Sequence, residues 1–183
     1  MQRISALTTA AAPAASQPML EAVHKKLGMV PNLIKTFAHS PAALKYYLAG
    51  SEALAGGVLP AALREQIALV TAGANECDYC ASAHTLMGKG TGLTAAEMAD
   101  NLRGHSGNDK AQAALDFAAT VVAARGRVSD AQLQAVRAAG YGDAEVVEIV
   151  ANVVANIFTN YFNHVAGTVI DFPVVKATES ALA

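Results

Sequence analysis

The 183-residue chain has no tryptophan, and phenylalanine and tyrosine together make up only 5% of it. A core built from stacked rings is therefore excluded. Alanine, about a fifth of the residues, is well above ordinary usage and suits close-packed helices with small side chains between them. There is no block of like charge and the net charge is only −2. This argues against nucleic acid or an anionic membrane surface as the main partner. The longest apolar run, near Val146–Phe158, is interrupted by Glu148, Asn152 and Asn156, so no membrane span is expected. No segment alternates apolar and polar residues with a period of two, which removes the pattern of a half-buried strand and leaves an all-α fold. Only two cysteines are present, Cys77 and Cys80. That is too few for a disulfide framework but suits a working dithiol in a reducing, cytoplasmic setting.

The organisation is one helical domain over residues 17–175. A flexible N-terminal arm of small, weakly apolar residues (1–16) is expected to precede it, and a polar, alanine-rich C-terminal tail (176–183) follows. The arm lacks the continuous apolar segment of a signal peptide. Helix boundaries are marked by caps and breakers. A short amphipathic segment, Ser16–Lys26, ends at Gly28, and Pro31 opens Asn32–Ala38. Ser40-Pro41 starts a helix that Gly56-Gly57 stops, and Pro60 opens the next. Cys77–Lys89 follows a turn at Gly73–Asn75. Thr94-Ala-Ala-Glu97 is a capping box, and Ser129-Asp130 caps a later helix. Helices are also expected over 109–124 and from Asp143 to about Thr168. A shift of 83 residues lays Glu65-x-Ile67-Ala68-x-Val70 over Glu148-x-Val150-Ala151-x-Val153, with Asn160 and Asn163 at the cysteine positions. An internal duplication of a helical unit and a chance likeness of two alanine-rich helices both account for it.

The chemistry-bearing stretch is Glu65 to His84. Two cysteines placed at random would fall at this spacing on the order of once in a hundred chains, so the pair is a signal. On a helix, Cys77, Cys80 and His84 share one face. Cys77 would lie in the first turn, where the helix dipole lowers a thiol pKa. If the helices before and after Asn75 run antiparallel, equal distances from the turn face each other, which brings Glu65 beside His84. A carboxylate on an imidazole fixes its tautomer and raises its basicity. The outcome is a chain Glu65–His84–Cys80 with Cys77 as the second thiol.

The pattern Glu65-x11-Cys77-x-x-Cys80-x3-His84 resembles the signature of the AhpD-like alkylhydroperoxidase and carboxymuconolactone decarboxylase family. Leu27-Gly-Met-Val-Pro-Asn-Leu-Ile-Lys35, Ser40-Pro41, Phe162-Asn-His-Val-Ala-Gly-Thr168 and Ile170-Asp-Phe-Pro173 are similar to its peroxidase-related branch. The resemblance spans about residues 17–175. It implies an AhpD-like helical bundle assembled as a homo-trimer or homo-hexamer, and an enzyme: a thiol-dependent hydroperoxidase or disulfide oxidoreductase. By resemblance Cys80 is peroxidatic and Cys77 resolving, with Glu65 and His84 relaying protons. Local dipole physics alone would favour Cys77 as the more acidic thiol. The resemblance also implies reduction by a lipoylated or thioredoxin-like partner. Tyr79 departs from the AhpD pattern, which has a histidine there; tyrosine donates a hydrogen bond but shuttles protons poorly near neutral pH. His164, on the last long helix, is expected either as an accessory residue at the mouth of the site or as a packing residue. The lactone decarboxylases of the family lack the dithiol.

Two other readings fit the same residues. One is a non-catalytic redox-responsive oligomer whose dithiol oxidises and alters a partner surface. The other is a zinc-stabilised binding module with Cys77, Cys80, His84 and either Glu65 or His105 as ligands. Neither a metal nor a cofactor is expected for the hydroperoxidase reading.

Overall fold

The computed structural model describes residues 2–178, and every regular element within them is helical. After a 3-10 turn at Thr9–Ala11 come α1 (Gln17–Leu27), α2 (Asn32–Phe37), α3 (Pro41–Ala55), α4 (Ala61–Ala74) and α5 (Asp78–Gly90). They are followed by α6 (Ala95–Leu102), α7 (Asp109–Ala123), α8 (Asp130–Ala138) and α9 (Asp143–Ala166). The caps act where the sequence puts them. The Ser40 side chain accepts from the Ala43 N–H with Pro41 in the first turn. Thr94 with Glu97 and Ser129 with Gln132 form complete capping boxes. Each such cap contributes about 1 kcal/mol. No helix among the described residues is long and apolar enough to cross a membrane.

The centre of the molecule is α4. Seven consecutive residues, Gln66 to Ala72, are buried, so the helix is enclosed on every side. It packs against α5, α6, α7 and α9. Leu69 and Ala72 belong to one apolar cluster with α1–α3, α5 and α6, whereas Leu63, Ile67 and Val70 belong to a second with α7, α8 and α9. Small residues make these approaches close: a Cβ on Gly73 would lie 2.0 Å from the Leu102 carbonyl oxygen at the end of α6. The few rings gather in one place. Phe37 packs on Tyr47, Phe158 and Phe162 with centroids 5.2, 5.2 and 4.3 Å away, while Tyr46 and Tyr161 stay largely exposed.

Between α4 and α5 the chain reverses through a Schellman turn. Glu76 N–H donates to the Gly73 carbonyl at 3.1 Å and Cys77 N–H to the Ala72 carbonyl at 2.9 Å. Glu76 holds the left-handed conformation, φ +55°, that such turns usually give to glycine. Helix α9 lies alongside α4 in the same direction. At one end, the Glu148 carboxylate accepts from the Val58 and Leu59 N–H groups at 2.8 and 3.1 Å. At the other, Asn75 Nδ2 donates to Asn160 Oδ1 at 3.0 Å.

Three expectations change. The 83-residue echo is not repeated by the backbone: the chain turns at Asn75–Cys77, but α9 runs straight through the corresponding stretch to Ala166. Glu148, the counterpart of Glu65, is spent on loop N–H groups. The arm is held to the body, since the Arg3 and Ile4 N–H groups reach the Ala166 carbonyl at the end of α9 (2.7 and 3.2 Å) and Ser16 Oγ donates to the Ala38 carbonyl (2.8 Å). Carbonyls left open at helix ends supply the attraction. At the other terminus, Lys176 Nζ and Ala177 N–H both bond the Asp78 carboxylate, at 2.7 and 2.9 Å. The domain therefore extends past both proposed boundaries; the rest of the tail, residues 179–183, lies outside the described residues.

Gly73→Ala drives a methyl group into the Leu102 backbone, which cannot swing aside as a side chain can. A loss of about 3 kcal/mol is expected in chemical denaturation, at the upper end of overpacking costs.

Candidate active site

Cys77 is the N-cap of α5, one residue earlier than the sequence pattern suggests, and its Sγ accepts the Cys80 N–H at 3.3 Å. Cys80 lies one turn in, and both thiols are free and buried. His84 follows on the same face. Its Nδ1 pairs with Glu65 Oε2 of α4 at 2.8 Å, so counting residues from the turn locates this pair correctly. The third wall is α9: Asn163 Nδ2 donates to Cys80 Sγ at 3.3 Å. Asn156 bonds the His84 ring, with its own amide nitrogen on the Asn152 carbonyl at 2.9 Å.

These contacts set the acidities. Cys80 is lowered to about 7, first by the hydrogen bond from the Cys77 thiol and, against burial, by the charge of His84 and the amides of Asn163 and Asn160. Cys77 moves the opposite way, raised by giving its hydrogen bond to Cys80, by burial and by the charge on Cys80. The local expectation that Cys77 is the more acidic thiol is therefore overturned. The Cys77 sulfur accepts one backbone N–H, but Cys80 has the Cys77 thiol and the His84 charge from its own helix and two amide donors from α9. Burial pulls the His84 pKa down, yet the charge and hydrogen bond of Glu65 outweigh it and the net shift is upward.

Tyr79 lines the openings at both thiols, but its hydroxyl is engaged elsewhere. Its hydroxyl donates to Asp171 Oδ1 and accepts the Leu33 N–H, both at 3.0 Å. Asp171 Oδ2 accepts the Asn32 N–H at 2.8 Å, so the Tyr79–Asp171 pair caps the first turn of α2. Burial first, then the adjacent carboxylate, push the Tyr79 pKa up. Its hydroxyl is a neutral structural pin. His164 Nε2 meets the Asn75 carbonyl at 2.9 Å and borders the approach to Cys77.

The thiols open in different directions. Cys80 and His84 line an apolar cavity of about 240 Å3 walled by Met29, Leu33, Leu86, Met87 and Phe172. Cys77 lines a cleft of mixed polarity, about 360 Å3, with Glu76, Asp78, His164, Thr168 and Ile170. Among the described residues no three His, Cys, Asp or Glu side chains are grouped to hold a metal ion. His105 is exposed on the loop after α6, and Glu65 is committed to His84. The zinc-stabilised arrangement is therefore not what these residues form.

Sequence reasoning missed Asn156, Asn160, Asn163 and Asp171 as partners of the site. A signal existed for three of them: with Asn152 they form a polar stripe at helical spacing that starts inside the longest apolar stretch and continues past its end.

The fold and the paired thiols define a class, the all-helical AhpD-like proteins. Residues 41–120 match the carboxymuconolactone decarboxylase family, and the fold is similar to that of the AhpD-core proteins. The AhpD-core, uncharacterized peroxidase-related protein from Ralstonia eutropha JMP134 superposes with a TM-score of 0.83 at 28% identity, covering 99% of this chain and 95% of that one. An uncharacterized peroxidase-related protein from Silicibacter sp. TM1040 gives 0.80 at 25%, covering 92% of each chain. A cysteine-to-alanine variant of the debrominase Bmp8 in complex with 2,3,4-tribromopyrrole gives 0.77 at 20%, covering 98% and 95%, a likeness of fold alone. Comparison with curated proteins finds no match.

Tyr79→Phe leaves the Leu33 N–H without its buried acceptor, so a loss of about 1–3 kcal/mol is expected in urea denaturation. Glu65→Gln removes the charge that raises the His84 pKa, and a histidine NMR titration should show it fall. Because the folded pKa is raised, the pair's contribution to stability is full below the unfolded value of about 6.5 and is lost as pH rises through the folded value. The stability gap between wild type and Glu65→Gln should therefore be wider at pH 6 than at pH 9.

Proposed function

We propose that the protein is a thiol-dependent hydroperoxidase, a disulfide oxidoreductase with Cys80 as nucleophile and Cys77 as resolving thiol. The observation that carries the reading is the Cys80 thiol, lowered to about 7 and lying beside both Cys77 and the Glu65–His84 pair. Near neutral pH a substantial fraction of Cys80 is thiolate, the form that reacts.

In the first step the Cys80 thiolate attacks the terminal oxygen of a hydroperoxide. An S–O bond forms and the O–O bond breaks. The departing alkoxide takes a proton from His84, whose positive charge Glu65 stabilises, and leaves as an alcohol. Cys80 is now a sulfenic acid. The Cys77 sulfur then attacks it; an S–S bond forms, and hydroxide leaves with the Cys77 proton as water. A dithiol returns the two electrons by thiol–disulfide exchange. The apolar walls of the Cys80 cavity favour an organic hydroperoxide over hydrogen peroxide.

The remaining parts of the proposal are a lipoylated or thioredoxin-like reductant, a cytoplasmic setting and a homo-trimer or homo-hexamer. Val147, Val154 and Tyr161 recur every seven residues on α9 and are each more than half exposed, an apolar stripe that supports self-association.

Organic hydroperoxide should remove two titratable thiols per chain and be consumed catalytically when a dithiol is supplied. Cys80→Ser should abolish consumption; full activity in that variant would overturn the assignment. The rate should rise with pH through about 7 as Cys80 ionises.

A further inference from the structure

The catalytic steps above assign no role to the two buried asparagines of α9 that lie beside Cys80. Asn163 is 5% exposed, and its Nδ2 donates to Cys80 Sγ at 3.3 Å. Asn160 is fully buried one turn earlier. Its Oδ1 is fixed by Asn75 Nδ2 at 3.0 Å, while its Nδ2 has no hydrogen-bond partner. A buried N–H donor without an acceptor is costly to fold around and calls for an explanation. Here the neighbouring group that can gain accepting power is the Cys80 sulfur: an ionised thiol accepts strongly, a neutral one weakly.

We propose that Asn163 and Asn160 form an amide cradle for the ionised sulfur of Cys80, Asn163 giving the first hydrogen bond and Asn160 the second. This rests on the reading of Cys80 as the reactive thiol and adds to it the groups that hold its charge. The geometry is preorganised. Asn75, at the turn between α4 and α5, holds the Asn160 amide by its oxygen, which leaves the nitrogen as the only end able to serve the sulfur. Asn163 comes from the next turn of the same helix, so both donors ride on one rigid element. Both amides act on Cys80 in the direction of a lowered pKa, consistent with their placement beside the sulfur.

The cradle also decides which sulfur a reductant attacks once Cys77 and Cys80 are joined. When an external thiolate attacks Cys77 Sγ, a mixed disulfide forms there and the Cys77–Cys80 bond breaks. Its electron pair leaves on Cys80, where the two amides and His84 receive it. Attack on Cys80 would instead expel Cys77, the poorer leaving group. The cleft at Cys77 is the opening through which that thiolate arrives.

The test needs no peroxide. Alkylation of reduced full-length protein by iodoacetamide, followed over pH and mapped to each cysteine by mass spectrometry, reads the ionisation of Cys80 directly. Wild type should give a midpoint of about 7. Asn163→Ala and Asn160→Ala should each raise the Cys80 midpoint, Asn163→Ala by ~1 unit, which lowers the thiolate fraction at pH 7 about fivefold. The isosteric Asn163→Asp, which places a carboxylate against the sulfur, should raise it further. Thermal denaturation identifies which variants fold. A Cys80 midpoint unchanged from wild type in folded Asn163→Asp, or in both alanine variants, overturns the proposal, because a purely structural role would alter stability and leave the midpoint in place. Since the readout is thiol ionisation, failure of the hydroperoxide assay would leave this result standing, and the reverse also holds.

Discussion

One reversal of chain direction, at Asn75–Cys77, sets the position of every other part of the site. The turn satisfies the last carbonyls of α4 with the N–H groups of Glu76 and Cys77, at the cost of a left-handed backbone at Glu76. That conformation costs a non-glycine residue on the order of 1 kcal/mol. Fixing the reversal fixes the register of α5 on α4. Register then brings His84 onto Glu65, points Cys80 at α9 and leaves Cys77 at the rim. The same three residues also carry Asn75, whose side chain and carbonyl hold Asn160 and His164. The turn therefore organises α9 as well as the helix pair it joins.

Burial makes the resulting electrostatics effective. In an exposed thiol pair, water would screen the neighbours and the two sulfurs would behave alike. Inside the junction of α4, α5 and α9, one proton held between the sulfurs, one imidazole and a few amides separate the two acidities. The asymmetry has a spatial counterpart: the sulfur favoured as thiolate looks into an apolar cavity, and the sulfur kept protonated looks into a cleft of mixed polarity.

What the sequence reveals follows from the range of the interactions involved. Caps such as Ser40, Thr94 and Ser129 are decided within four residues, so the helices are readable from local pattern. The Glu65–His84 pair is readable too, because two helices joined by a tight turn leave one simple geometry. The ranking of the two thiols is not. It is set first by the hydrogen bond between the two thiols and by the His84 charge, and then by Asn163, which lies 83 residues from Cys80 in the chain; helix-end physics applied alone gives the opposite order. Tyr79 is a similar case: its partners Leu33 and Asp171 lie 46 and 92 residues away, and nothing near it in sequence marks it as a pin.

The enclosure of α4 also has a bearing on how the molecule comes apart. Its two faces belong to different apolar clusters, so neither cluster can open without exposing a wall of the other. The halves are thus tied into one cooperative unit, with α4 as the segment whose amides exchange with solvent only on global unfolding. The dithiol is attached directly to that most protected segment. Local fraying of α1, α8 or the chain ends can proceed around it, and the spacing of the sulfurs, the imidazole and the carboxylate persists for as long as the chain remains folded at all.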